Sequence, residues 1–237
     1  MHIEGSPTPI KELLIEATFA KNRAIRDSVT RIDLGVLGSV AERLSDKGRI
    51  DAQEWAITAL VTQDNKLLLS NQEVMGDSSS VTPELRVRVF MNKRNLPRRF
   101  WQDRFIATLI HNHPVELPPS PKDLGYIFLE DSDPSATTAV FIASPGWKTV
   151  IFRGAKTPQL TNLQSAIQQA LWIDLTQQAL NSVVNRETNS EHFRLLEMEA
   201  QRALIMSLSR EYDLRVYGCP IRENIAIQDN LFQPSRT

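Results

Sequence analysis

Cysteine is nearly absent from this sequence: its 237 residues contain one, Cys219. A single cysteine excludes an intrachain disulfide framework, a cysteine-rich zinc site and a CxxC redox motif. It also excludes the zinc nucleobase deaminases, whose metal needs two or three cysteines. Set between Gly218 and Pro220, Cys219 reads as a packed or idle thiol rather than a nucleophile. Neither sign of charge is in excess: 27 basic residues face 28 acidic ones, a net of −1. That balance argues against a globally basic nucleic-acid binder, though a local patch stays open. No apolar run approaches the roughly 20 residues that span a bilayer. Residues 1–10 carry Glu4, two prolines and no apolar h-region, unlike a signal peptide. The chain is therefore expected to be cytoplasmic, with no membrane partner. Internal repeats, low-complexity tracts and the HExxH zinc-protease helix are missing as well.

What is present suffices for a core. Hydrophobic residues make up 41% of the chain and charged residues 23%, which rules against wholesale disorder. Residues 1–9 read as a loose tail, followed by a helix whose apolar positions are Ile10, Leu13, Leu14, Ala17 and Ala20. A second helix is expected over 34–44, stopped by Asp46-Lys47-Gly48. The period then changes to that of strands: 55–62 and 67–69 form a hairpin around the turn 63–66. Residues 71–83 read as a loop. Strands follow at 85–90, 105–110, 137–142 and 148–152. Residues 158–184 and 190–212 have helical spacing, 214–217 is a short strand, and the last fifteen residues look irregular. The class is α+β, in three segments: an N-terminal tail and helix (1–32), a strand-rich domain (33–156) and a helical C-terminal extension (157–237).

Chemistry concentrates in one stretch, from His111 to Asp123. His111 and His113 stand two apart at the end of a strand, so they point to the same side and can share one metal ion. Pro114 ends the strand, since it cannot donate to a ladder. Ser120, Pro121 and Asp123 form a helix start, with Ser at the N-cap and an acid three residues on. A carboxylate held there faces back over the loop, where it can complete a His-His-Asp set. Zinc with three protein ligands and a water is the open, catalytic arrangement, and it generates a nucleophile near neutral pH. Such a site also needs a general base that is not a ligand.

This stretch resembles the motif of the JAB/MPN metalloproteases (JAMM): an upstream Glu, His-x-His-Pro, then Ser-x-x-Asp. The wording His111-Asn112-His113-Pro114 is especially close to RadC-type proteins of that superfamily. The resemblance covers about 33–156 and implies an MPN/JAB-like (cytidine-deaminase-like) mixed sheet with flanking helices. It implies Zn2+ held by His111, His113 and Asp123. Glu54, which follows the helix at 34–44 and opens the strand 55–62, would be the general base; Glu73 and Glu84 also lie upstream, and Glu73 is the reserve. Ser120 would stabilise the oxyanion. The chemistry implied is hydrolysis of a peptide or isopeptide bond in a protein or peptide substrate, often after the tail of a ubiquitin-like protein. The loop between His113 and Ser120 is one residue shorter than the family's usual spacing. Two alternatives stand beside the enzyme: a non-catalytic MPN-like scaffold, and a RadC-like protein acting around DNA.

Other features read more plainly. His-Asn-His is not an HNH nuclease, whose named residues are scattered over a ββα unit. His2 and His192 have no partner at ligand spacing. Residues 86–104 hold seven basic side chains against one acid, Asp103. Such a run is usually a solvated loop, and its place before the histidines also suits an acidic partner. Phe100 and Trp101 read as core or interface. The C-terminal helices are expected to pack, or to form a homodimer.

Overall fold

The computed structural model describes residues 6–70, 73–76, 104–131, 136–184 and 190–231. In chain order these form β1 (Thr8–Pro9), α1 (Ile10–Phe19), β2 (Arg31–Asp33), α2 (Gly35–Asp51), β3 (Trp55–Thr62), β4 (Leu67–Leu69), β5 (Val74–Met75) and β6 (Arg104–Asn112). They continue with α3 (Pro121–Leu124), β7 (Ala139–Ala143), β8 (Trp147–Arg153), α4 (Asn162–Val184), α5 (Ser190–Glu211), β9 (Leu214–Pro220) and β10 (Ile225–Gln228). All the described strands join one mixed sheet, in the order β1-β2-β10-β9-β8-β7-β6-β3-β4, with β5 also paired to β3. The α+β class, with a mixed sheet and flanking helices, is as the sequence leads one to expect.

Strand alternation separates two cores. Phe141 and Ala143 of β7 face α1 and α2, in a cluster with Leu13, Leu37, Leu44 and Ile110. Val140 and Ile142 face the other way, toward Leu124, Phe128, Trp172, Ile205 and Leu208 on the side of α3, α4 and α5. β3 is buried over nearly its whole length, so it reads as a continuous apolar run rather than an alternating one. Its hairpin with β4 forms as expected: the Thr62 N–H donates to the Lys66 carbonyl at 3.0 Å, and Asn65 takes a positive φ of 59°.

β6 and β7 are parallel, with Asn112 beside Ala143, and parallel neighbours need a crossover. That crossover carries the loop after His113, then α3. The chain behind α3 is pinned to the sheet by Arg153, whose side chain is wholly buried. Its guanidinium donates to the carbonyls of Ile127 and Leu129 and to Asp131 Oδ1, the last at 2.7 Å. Arg23 adds a bond to the Ala136 carbonyl at 2.8 Å. Buried guanidinium groups survive here because carbonyls and one carboxylate use their donors.

Several expectations need correcting. α2 does not stop at residues 46–48; it runs to Asp51 and ends at Ala52, which is left-handed (φ 56°). Gly48 is inside the helix because α2 crosses β6 there: a Cβ on Gly48 would lie 1.8 Å from Asn112 Nδ2. Thr8–Pro9 is not loose tail but pairs with β2, and the last residues are not wholly irregular, since β10 pairs with both β2 and β9. Strands from 8–33 and from 214–228 therefore complete the same sheet as the central segment. The strand expected at 85–90, Glu84, Phe100, Trp101 and the basic run up to Asp103 lie outside the described residues, as does His2.

Among the described residues no helix is long and apolar enough to cross a membrane. α4 leaves Leu163, Ile167, Leu171 and Leu175 exposed at four-residue intervals. Cys219 is buried, its thiol donates to the Glu223 carbonyl at 3.3 Å, and burial pushes its pKa up to about 11. A thiol in that state is inert at neutral pH.

Candidate metal centre

His111 is part of β6 and His113 lies just past its end. Alternation puts both imidazoles on the α3 side, 5.3 Å apart between ring centroids, with Asn112 between them facing α2. α3 then brings up the third group. Asp123 Oδ1 is 2.8 Å from His111 Nε2, and Asp123 Oδ2 is 3.3 Å from His113 Nε2. One ligand atom from each of the three residues lies within 4.8 Å of the others. The sequence places these residues on a strand end and a helix start; the crossover brings them together.

The Asp123 carboxylate is oriented from its own helix start. The Ser120 N–H donates to Oδ2 at 2.6 Å and the Ser120 hydroxyl donates to the same oxygen at 2.8 Å. Ser120 therefore acts here on the carboxylate. It can turn to an oxyanion only by giving up the hydroxyl bond. His113 is oriented by the Leu117 carbonyl, 3.3 Å from Nδ1, which leaves Nε2 as the donor atom. His111 Nδ1 is buried without a hydrogen-bond partner.

Glu54 arrives from the neighbouring strand. β3 and β6 pair antiparallel with Ala56 opposite His111. Glu54 lies two residues before Ala56, just beyond the last pair of the ladder, and alternation turns it to the same face as both imidazoles. The residue is 8% exposed, and its charge is among the influences that raise the His113 pKa. Glu73, the reserve acid, is committed elsewhere: Arg43 and Lys47 of α2 hold its carboxylate at 2.7 and 2.8 Å.

Electrostatics bind the cluster into a charged unit. Burial pushes the Asp123 carboxyl up, but the two imidazoles and their hydrogen bonds outweigh it and hold the group well below the ordinary carboxylate range. Burial pushes His113 down, but the Asp123 carboxylate, Glu54 and the Leu117 carbonyl together raise it. Because the folded value is raised, His113 stabilises the metal-free fold below about pH 6.5, and that contribution is lost as pH climbs through the folded value.

The residues fit a metal ion. Donors 2.0–2.1 Å from a tetrahedral centre are about 3.3 Å apart, close to the two imidazole–carboxylate separations. Two imidazoles and a carboxylate are also a donor set that zinc accepts. Wherever His113 is protonated, it must shed the Nε2 proton before that atom can bind a metal. Metal uptake near pH 6.5 is therefore expected to release protons, and fewer as pH rises. Titration calorimetry in two buffers of different ionisation enthalpy measures this; identical heats in both would contradict it.

Two positions packed behind the cluster, Asn112 and Gly48, are not singled out for that contact by the sequence. Gly48 reads in the sequence as part of a helix stop, and Asn112 stands there only as the residue between the two histidines. The one available signal is alternation, which sends Asn112 to the opposite face from its neighbours.

Compared with known proteins, the chain matches no protein-family model, no curated protein and no solved structure.

Proposed function

We propose that this chain is a zinc-dependent hydrolase of peptide or isopeptide (amide) bonds, of the JAB/MPN type that its motif resembles. One observation carries the reading: three side chains that could hold a metal ion, His111, His113 and Asp123, lie together, and the charge of a buried acid that is not among them, Glu54, acts on His113. The MPN-like fold, the protein or peptide substrate and the ubiquitin-like tail are parts of the same proposal.

A zinc ion held by this set supplies Lewis acidity and a nucleophile at neutral pH. The chain supplies the rest. Leu117 and Ser120 fix the orientation of the His113 ring and the Asp123 carboxylate. The Glu54 carboxylate takes the proton of the attacking water and delivers it to the leaving nitrogen, so that the C–N bond breaks with departure of a neutral amine. Ser120 Oγ donates to the carbonyl oxygen as it gains charge. Asp123 Oδ2 then keeps its bond from the Ser120 N–H.

The test is a panel of ubiquitin-like fusions and short peptides. The zinc-loaded protein is expected to cleave at least one member, to stop when zinc is chelated and to resume when zinc is returned. Cleavage indifferent to chelation would exclude the metal from the reaction. A zinc-loaded chain that cleaves nothing would favour the scaffold alternative.

A further inference from the structure

We infer that Asn112 is a positioning residue that locks Glu54 in place on the histidines' face of the sheet by gripping the main chain on both sides of it. The functional weight of this lock rests on the reading of Glu54 as the general base. Asn112 is completely buried. Its Oδ1 accepts the Trp55 N–H at 2.7 Å, and its Nδ2 donates to the Gln53 carbonyl at 3.2 Å. The two bonds bracket residue 54. They also fix the amide orientation, because an N–H accepts nothing and a carbonyl donates nothing.

The bracket lies where the regular ladder gives out. The antiparallel pairing of β3 with β6 ends at Ala56 opposite His111. Beyond it, the Asn112 side chain takes the Trp55 N–H. Outward from there β3 is held by β5, where the Gly76 N–H donates to the Glu54 carbonyl at 2.8 Å. The preceding turn is tied to the end of α2, with Asp51 accepting from the Gln53 N–H at 3.1 Å and from Trp55 Nε1 at 2.8 Å. Asn112 thus ties this turn to the strand that bears the histidines.

The central residue of His-Asn-His therefore has a task on the opposite face from its neighbours. The histidines form the metal set, while the amide between them sets where the acid stands. The same contact explains Gly48. A Cβ there would meet Asn112 Nδ2 at 1.8 Å and the Gln53 carbonyl at 2.7 Å, so α2 can close over the bracket only with glycine at that position. A carboxylate displaced by about 1 Å from its working position costs roughly 10²-fold in rate, which is reason enough for a rigid bracket.

The experiment compares full-length wild type, Asn112→Ala and Gly48→Ala. Asn112→Ala deletes the bracket; Gly48→Ala disturbs it from the helix side and leaves His-Asn-His intact. If one variant fails to fold, the other is read. Three measurements are made: zinc content, hydrogen exchange at the Trp55 amide, and turnover. Zinc content should stay at the wild-type level, because all three donors remain on the other face. Trp55 should exchange about tenfold faster or more, while Ile57 and Thr58 within β3 stay protected. The turnover number should fall roughly 10²-fold with little change in KM. Adding Asn112→Ala to Glu54→Gln should cost no further rate, because a group that acts through Glu54 has nothing left to position.

Unchanged Trp55 exchange would overturn the bracket. Loss of zinc would instead make Asn112 a support for the ligands. Rate losses that multiply in the double variant would give it a role independent of Glu54. If the wild type cleaves no substrate, the hydrolase reading fails separately, and exchange together with zinc content still decides the bracket.

Discussion

Glu54→Gln is expected to bind zinc as the wild type does, fold as the wild type does and lose about 10²–10⁴-fold in turnover, the amount a positioned acid–base group supplies. The substitution keeps the size of the side chain and removes the basic carboxylate. Glu54 is outside the set of three donors, so the metal has no reason to leave. For Glu54 as the proposed base, the effect belongs in the turnover number, since the proton it would move is in flight only in the transition state. Glu73→Gln is the control: that carboxylate is bound to Arg43 and Lys47, and its loss should leave the rate unchanged. A Glu54→Gln protein that turns over at the wild-type rate would remove Glu54 from the reaction.

Asp123→Ala is expected to lose zinc and activity together. One carboxylate bridges both imidazoles, at 2.8 and 3.3 Å, so its removal takes a donor and also the counter-charge that raises His113. His113→Ala should likewise lose most of the metal. Ser120→Ala is the graded case. It deletes a hydroxyl 2.8 Å from Asp123 Oδ2 but keeps the main-chain bond to the same oxygen. Zinc affinity should fall by the roughly 10–100-fold typical of an outer-shell partner, short of the loss in Asp123→Ala. Competition with a chelator of known affinity reads all three. Full zinc retention in His113→Ala or Asp123→Ala would take that residue out of the ligand set.

The His111, His113 and Asp123 cluster is legible in the sequence because the rules that place it are local. Alternation puts His111 and His113 on one face whatever else the chain does, and Ser-Pro-x-Asp starts a helix with its acid turned back over the N-cap. Glu54 is less legible. Its place is set by the register of β3 against β6, a pairing between distant segments, so spacing alone does not separate it from Glu73. Asn112 and Gly48 are illegible for a related reason: each is chosen for the other across a helix–strand contact. The glycine therefore looks like a helix stop until the strand beneath it is known. β1, β2 and β10 have only two to four residues each, too few for a period to show, and exist because a neighbour offers them a ladder.

Whether the three residues hold zinc is decided by anomalous diffraction at the zinc edge from crystals of the zinc-loaded protein. A single zinc site is expected, bonded by His111 Nε2, His113 Nε2 and the Asp123 carboxylate at about 2.0–2.2 Å. Glu54 should stand beside this site, outside bonding distance of the metal. No anomalous peak at these three residues, a peak held by other side chains, or a Glu54 oxygen bonded to the metal would contradict this expectation.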